Sequence, residues 1–207
     1  MNKLFSNLSK EEIKTFKSLN NPKKIQDFLN KIPINFEPNG DTCLSPRSVL
    51  KQNTCHCIEG AILAYAILKF HNQPCWLIDL KTTSDDFEHV VCLFKHLGFY
   101  GAVSKTNHSV LRYREPIYKT PRELVMSYFH EYFKDNGKKT LRSFSKPVTL
   151  NKFSSDWLTS EDNLWEIHDY LDEIKHFQIL NKKQIKNLRK AEKIEIEAGK
   201  ITEWKKK

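Results

Sequence analysis

The sequence lacks the features of a secreted or membrane protein. No apolar run approaches the roughly 20 residues that span a bilayer. The stretch from Met1 to Phe5 leads into a lysine-rich segment without the apolar core of a secretory signal. The chain also has no internal repeat and no low-complexity tract. We therefore expect a cytoplasmic protein with no membrane partner.

Cysteine is scarce and irregularly spaced. The chain has 5 cysteines, an odd number without the spacing of a disulfide framework, and we expect them to be reduced thiols. They are Cys43, Cys55, Cys57, Cys75 and Cys92. A single C-x-C pair with no second C-x-x-C or H-x-x-x-H pair is a weak zinc signal. We therefore expect no metal and no cofactor.

The remaining composition is that of one globular domain. Of 207 residues, 39% are hydrophobic and 12% aromatic, enough for one sizeable core. The net charge is +9, but residues 181–207 carry ten Lys/Arg against four Glu. The excess charge therefore belongs mainly to the C-terminal tail. We expect nucleic acid to bind weakly through this tail at most, and a solvated, partly frayed helix explains its charges more simply.

Capping and periodicity signals predict the order of elements. Helices are expected from Ser9 to about Leu19, after the Asn21-Pro22 cap, from about Arg47 to Gln52, over Cys57–Phe70, after Thr120-Pro121 to about Phe133, and from Thr159 or Ser160 to about Ile174. Strands are expected over 75–80, 89–94, 99–105 and 110–114, and 140–145 and 147–153 are strands or loops. This order predicts an α+β fold, with a small antiparallel sheet packed on a buried helix that starts at Cys57.

Cys57 and His89 are the main candidate catalytic residues. A thiol at a helix N-terminus lies near free backbone N–H groups and the positive end of the helix dipole, which favour the thiolate. His89 opens a strand about thirty residues later. Cysteine nucleophiles are commonly activated by a histidine base.

The strings HCIEGA, EHVVCLF, GAVSKTNH, LRYREPIY and RELVMSYFHEYF extend this pattern. In order and spacing the chain resembles the transglutaminase-like superfamily of papain-like cysteine enzymes, and more narrowly a group of small bacterial transglutaminase-like proteins. The resemblance implies a papain-like core with Cys57 as nucleophile and His89 as general base. We divide the chain into one transglutaminase-like domain, 1–180, and a basic, helical tail, 181–207. The domain consists of N-terminal helices (1–52), a catalytic core (53–115) and further helices and short strands (116–180).

The third catalytic residue departs from the superfamily pattern, in which a carboxylate or amide on the next strand orients the histidine. No Asp lies between residues 99 and 107. Asn107 has an amide oxygen that can accept the imidazole N–H. Ser104 is a weaker acceptor, but a hairpin turn centred on residues 96 and 97 would place it opposite His89. Both residues remain candidates.

The resemblance implies a cysteine hydrolase or acyltransferase that acts on an amide or peptide bond through a thioester. A protein or peptide is then the expected substrate. The alternative is a catalytically inactive relative that binds protein or nucleic acid.

Glu59, Arg112 and Arg114 have two interpretations each. Glu59 either stabilises the helix N-terminus or binds a substrate amine. Arg112 and Arg114 either bind a substrate carboxylate or phosphate or brace a loop. His56 is interpreted as a solvent-facing neighbour of Cys57. Gly60, inside a helix, predicts close approach of another element.

Overall fold

The computed structural model describes residues 3–205 and shows an α+β fold with a six-stranded antiparallel sheet. The helices are α1 (Lys10–Ser18), α2 (Pro22–Lys31), α3 (Pro46–Gln52), α4 (Cys57–Phe70), α5 (Pro121–Tyr128), α6 (Trp165–Glu173), α7 (Lys182–Lys186) and α8 (Lys193–Gly199). The strands are β1 (Cys75–Lys81), β2 (His89–His96), β3 (Phe99–Val103), β4 (Arg114–Tyr118), β5 (Ser143–Ser145) and β6 (His176–Gln178). The predictions for Met1, Asn2, Lys206 and Lys207 lie outside the described residues. Within residues 3–205, no helix has the length and apolar character needed to cross a membrane.

The N-terminal helices begin where their capping residues predict. Ser9 and Glu12 form a reciprocal capping box at the start of α1. The Asn21 side chain accepts a hydrogen bond from the backbone N–H of Lys24 at 3.0 Å, with Pro22 at the first position of α2. Each cap satisfies backbone donors that a helix start would otherwise leave free.

The sheet order β4-β3-β2-β1-β5-β6 places the hairpin of β2 and β3 next to β1. Alternate side chains divide between two apolar layers, as strand geometry requires. Leu77, Cys92 and Val103 face the α4 side. Ile78 and Val91 belong to the second layer, which includes buried residues of α5. The predicted helix α4 is buried along most of its length, as its apolar sequence indicates.

The β2–β3 turn is centred one residue later than the sequence suggested. His96 pairs with Phe99, so Leu97 and Gly98 form the two-residue turn, with φ values of 49° and 87°. Positive φ at both positions is typical of a type I′ hairpin. Continued beyond the observed pairs, this register places Ser104 beside Val91 and therefore on the same face of the sheet as His89.

Two predicted elements are displaced. The strand predicted over 110–114 begins only at Arg114, because Leu111 has φ 59° and interrupts an extended chain. The helix expected after Ser160 begins at Trp165, with Leu164 as the cap. The Ser160 hydroxyl accepts a hydrogen bond from the N–H of Asp162 at 3.0 Å. It therefore stabilises a tight turn before the helix.

Gly60 lets α4 approach the chain segment that follows β3. A Cβ atom at Gly60 would lie 2.7 Å from Cβ of Lys105, closer than real side chains pack. Lys105 is buried, and its ammonium group donates to the carbonyl oxygens of Leu29 and Ile32 at the end of α2. The expectation of close packing at Gly60 is confirmed.

The C-terminal segment folds back onto the domain. After α8, Thr202 forms a β-bridge with His108. The N–H of Ser109 donates to the carbonyl of Ile201 at 3.1 Å, and the N–H of Glu203 donates to the carbonyl of Asn107 at 2.9 Å. Two short helices and a docked extended stretch thus take the place of one frayed helix.

Candidate active site

The start of α4 and the start of β2 meet at a cleft of about 700 Å³. Cys57 and His89 both line it. The remaining walls come from the loops 34–36, 85–88, 105–111 and 131–135 and from α8 and the residue after it. The structure therefore brings together the two residues that the sequence pairs.

His56 lies beside the thiol and was not predicted to take part. It is the N-cap residue of α4, and its Nδ1 is 3.9 Å from Sγ of Cys57. Its Nε2 lies 2.9 Å from the carbonyl oxygen of Thr42. Because a carbonyl only accepts, Nε2 carries the proton and Nδ1 is the nitrogen that can receive the thiol proton.

Two carboxylates support this arrangement of His56. Its Nε2 lies 3.3 Å from Oε1 of Glu37 and 3.4 Å from Oε1 of Glu59. Negative charge at these distances stabilises an imidazolium. Burial lowers the pKa of His56, but contact with the Cys57 thiolate, the Glu59 charge and the Thr42 carbonyl outweigh it and raise the pKa to about 10.

Cys57 has the complementary shift. Burial raises the pKa of its thiol, but hydrogen bonds to His56 and His89 and their positive charges outweigh burial and lower the pKa from 9.0 to about 5. Buried Cys43 and Cys55 shift the opposite way, and burial raises the pKa of each to about 12. Of these three thiols only Cys57 is a thiolate at neutral pH.

Ser104 contacts His89. Its Oγ lies 2.8 Å from Nε2 of His89 and 2.6 Å from the carbonyl oxygen of Leu111. The hydroxyl has one proton, which the carbonyl must receive, so Oγ accepts from Nε2–H. This fixes the tautomer of His89 and leaves its Nδ1 available as a base.

Gln26 of α2 holds the backbone of Ser104 in place. Its side-chain oxygen accepts from the N–H of Ser104 at 2.9 Å, and its side-chain nitrogen donates to the carbonyl of the same residue at 2.8 Å. Both bonds are buried, where an unpaired partner would be costly. An N-terminal helix therefore helps to set the position of Ser104.

Asn107, the other candidate for the third position, does not contact His89. Its side-chain nitrogen donates to the carbonyl of Trp204 at 3.0 Å, and its Oδ1 accepts from the N–H of Trp204 at 2.8 Å. Both ends of the amide are thus engaged by the C-terminal segment. The structure gives the orienting contact to Ser104.

The candidate substrate-binding residues lie outside the cleft lining. Glu59 is fully buried, and its carboxylate accepts from the N–H groups of His56 and Leu44 and from the Thr42 hydroxyl. Its carboxylate is therefore fully engaged within the protein, which fits the helix-stabilising interpretation.

Both arginines brace the protein. Arg114 stacks on the ring of Tyr128 at 4.0 Å and pairs with Glu131 at 2.5 Å. Arg112 pairs with Glu203 of the C-terminal segment at 3.1 Å. Because these guanidinium groups are already paired, the bracing interpretation fits the structure.

Acidic side chains lie on the other side of the thiol. A small cavity of about 120 Å³ is lined by Cys57 together with Asp79, Glu88 and Asp172. The three carboxylates lie within 4.8 Å of one another and could hold a metal ion. Lys81 pairs with both Glu88, at 3.3 Å, and Asp172. Nε2 of His176 lies 3.0 Å from Oδ2 of Asp79, so each of the three carboxylates already has a basic partner in the protein.

Comparisons with known proteins give a limited match. No protein-family model matches the chain, and no curated protein matches it. Among solved structures the chain is similar to Legionella pneumophila LapG (EGTA-treated), with a TM-score of 0.35 and 19% sequence identity. The match covers 49% of this chain and 57% of LapG. The chain thus spans somewhat more than half the length of that protein.

Proposed function

We propose that the protein is a transglutaminase-like cysteine hydrolase or acyltransferase with a papain-like catalytic core. The observation that supports this most directly is the half-buried Cys57 thiol, 3.9 Å from Nδ1 of His56 and in the same cleft as His89, with its pKa lowered to about 5. Structural buried cysteines have raised pKa values instead. A protein or peptide amide is the proposed substrate, and the cleft of about 700 Å³ has room for several residues of an extended chain.

The proposed reaction follows from the positions of these groups. The Cys57 thiolate attacks the amide carbonyl carbon, a C–S bond forms, and the carbonyl electrons move to oxygen. When this intermediate collapses, the C–N bond breaks and a thioester remains, and the leaving amine takes the proton that the thiol had given to Nδ1 of a flanking imidazole, His56 or His89. Water or a second amine then attacks the thioester, with His89 taking the proton. Water completes hydrolysis, and an amine completes acyl transfer.

The test is the pH dependence of iodoacetamide alkylation, followed at each cysteine by peptide mass spectrometry. In the wild type we expect selective modification of Cys57 with an apparent pKa near 5, while Cys43 and Cys55 stay unmodified. Replacing either flanking histidine, in His56→Ala or His89→Ala, should raise the apparent pKa toward the ordinary value, because each removes a positive neighbour.

His96→Ala is the matched control, since His96 is exposed at the far end of β2 and its loss should change nothing at Cys57. Slow alkylation of Cys57 that follows an ordinary thiol pKa, unaffected by either active-site substitution, would refute the proposed function.

A further inference from the structure

Tyr132 is a buried residue of the cleft to which neither the sequence nor the proposed reaction assigns a role. It follows the 3₁₀ turn Phe129–Glu131 and is 4% exposed. Its ring belongs to the apolar layer of β2 and α5. Its carbonyl accepts from the N–H of Thr140 at 3.0 Å, which fixes the backbone. The ring is therefore held firmly at the cleft wall.

The Tyr132 hydroxyl has no hydrogen-bond partner among residues 3–205. Other buried tyrosines are paired. The Tyr128 hydroxyl donates to the carbonyl of Arg112 at 3.0 Å, and the Tyr65 hydroxyl accepts from the N–H of Leu150 at 3.0 Å. A buried, unpaired donor costs about 1–3 kcal/mol and in a folded protein points to an unmet partner.

The surroundings of this hydroxyl indicate which partner it meets. Tyr132 lines the same cleft as Cys57 and His89. Burial raises the pKa of Tyr132 well above its ordinary value, and the negative charge of Cys57 is the next largest cause. The phenol therefore stays protonated over the working range and can act only as a neutral donor toward negative charge that develops at the thiol.

We propose that Tyr132 is a catalytic residue that donates a hydrogen bond to the oxyanion formed when Cys57 attacks a carbonyl. This inference rests on the proposed function and adds a side-chain donor to that site. No proton is transferred in the step. The Cys57 Sγ–C bond forms, the carbonyl π electrons move to oxygen, and Tyr132 O–H stabilises that oxygen until the leaving group departs. A fixed donor of this kind is typically worth about 10²- to 10³-fold in rate.

The experiment compares two reactions of Cys57 in the full-length protein. Alkylation by iodoacetamide displaces iodide from an sp³ carbon and forms no oxyanion. Acylation by p-nitrophenyl acetate passes through a tetrahedral oxyanion and releases p-nitrophenolate. In Tyr132→Phe we expect the alkylation rate to stay within about twofold of wild type and the acylation rate to fall at least tenfold.

Tyr128→Phe is the matched control, because it removes a buried tyrosine hydroxyl that does not line the cleft. It should lower the melting temperature while the ratio of acylation to alkylation stays at the wild-type value. Tyr132→Phe should keep or raise the melting temperature, since its hydroxyl has no partner to lose.

Each outcome decides between the two proposals. Unchanged acylation in Tyr132→Phe, with rapid alkylation retained, would overturn the role of Tyr132 and leave the proposed function standing. An equal fall of the alkylation and acylation rates would mean that Tyr132 affects the reactivity of the thiolate itself, and it would also overturn the inference. A wild-type Cys57 that is neither alkylated rapidly nor acylated would overturn both.

Discussion

Ser104 shows how much chemistry at this site depends on one hydroxyl. Its single proton goes to the carbonyl of Leu111, so the oxygen can only accept from His89. A carboxylate would add negative charge at this point, and the serine does not. The Cys57 thiolate is instead supported by two imidazoles, His56 and His89, so a neutral orienting group is sufficient.

Substitution of Ser104 and substitution of Asn107 should have different effects on the rate of Cys57 acylation. Ser104→Ala should slow acylation of Cys57 by p-nitrophenyl acetate roughly 10- to 100-fold, because His89 then loses the contact that sets its tautomer. Asn107→Ala removes a side chain of the same loop whose amide hydrogen-bonds to Trp204 of the C-terminal segment, and its rate should remain within about twofold of wild type. The measurement is the burst of p-nitrophenolate, and equal rates in the two variants would contradict the role of Ser104.

The contact of His56 with the thiol could not be predicted from the sequence. Cys57 and His89 could be found because helix and strand starts carry recognisable signals. The orientation of a side chain just before a helix depends on the backbone angles of that residue and on its neighbours, which for His56 are Thr42 and Glu37. One signal was available, since Glu59 three residues after His56 fits a capping box and implies a fixed N-cap.

At the scale of elements, the position of α4 against the segment after β3 sets the site. Cys57 lies at one end of α4, and Lys105, the residue after Ser104, passes about one turn further along at Gly60. A glycine inside a helix predicts close packing. The sequence does not identify Lys105 as the residue that contacts it, because lysine side chains are rarely buried. The predicted hairpin register was off by one residue because Leu97 and Gly98 form the turn with positive φ, and a leucine gives no sequence signal for that backbone conformation.

Gly60→Ala should therefore disturb both stability and the site. The added methyl group would lie 2.7 Å from Cβ of Lys105. Such overpacking costs about 1–3 kcal/mol, of which better helix propensity recovers up to about 1 kcal/mol. We expect a lower urea midpoint together with slower acylation of Cys57.

Gly98→Ala provides the comparison for Gly60→Ala. It strains a turn residue with φ 87° that has open space around it, far from the cleft. It should lower stability without changing acylation. A Gly60→Ala protein with wild-type stability and acylation rate would show that α4 and the Lys105 segment can move apart without loss of stability, and it would contradict this prediction.

The C-terminal segment is a second element whose packing was not readable from its sequence. Its charges indicate solvent, yet its backbone pairs with residues 107–109. Main-chain hydrogen bonds carry no sequence signal of their own. The paired loop ends at Leu111, whose carbonyl receives the Ser104 proton, so this loop connects the C-terminal segment to Ser104.

Deleting residues 201–207 should release that loop locally. The N–H of Ser109, which donates to the carbonyl of Ile201, should exchange with deuterium at least tenfold faster, as expected when a backbone bond opens to solvent. The N–H of Leu111 donates to Glu131 at 2.7 Å and should keep its protection. Unchanged exchange at Ser109 would show that the segment is not docked in solution.

At the scale of the whole molecule, the thiolate–imidazolium pair links stability to pH. The folded pKa of Cys57, about 5, is below its unfolded value of 9.0, so its contribution is complete above pH 9 and is lost as pH falls through 5. The folded pKa of His56, about 10, is above its unfolded value of 6.5, so its contribution is complete below pH 6.5 and is lost as pH rises through 10.

Together these opposite dependences predict a plateau. Between pH 6.5 and 9 the folded pair and the unfolded pair bind the same number of protons, so the stability that the pair adds stays constant. From pH 6.5 to 5, and again from pH 9 to 10, it should fall by roughly 1 to 2 kcal/mol. Urea unfolding of the wild type and of the double variant Cys57→Ala/His56→Ala across this range isolates the pair, because other titrating groups cancel in the difference. A difference in unfolding free energy that is flat from pH 5 to 10 would mean that Cys57 and His56 are both neutral in the folded protein.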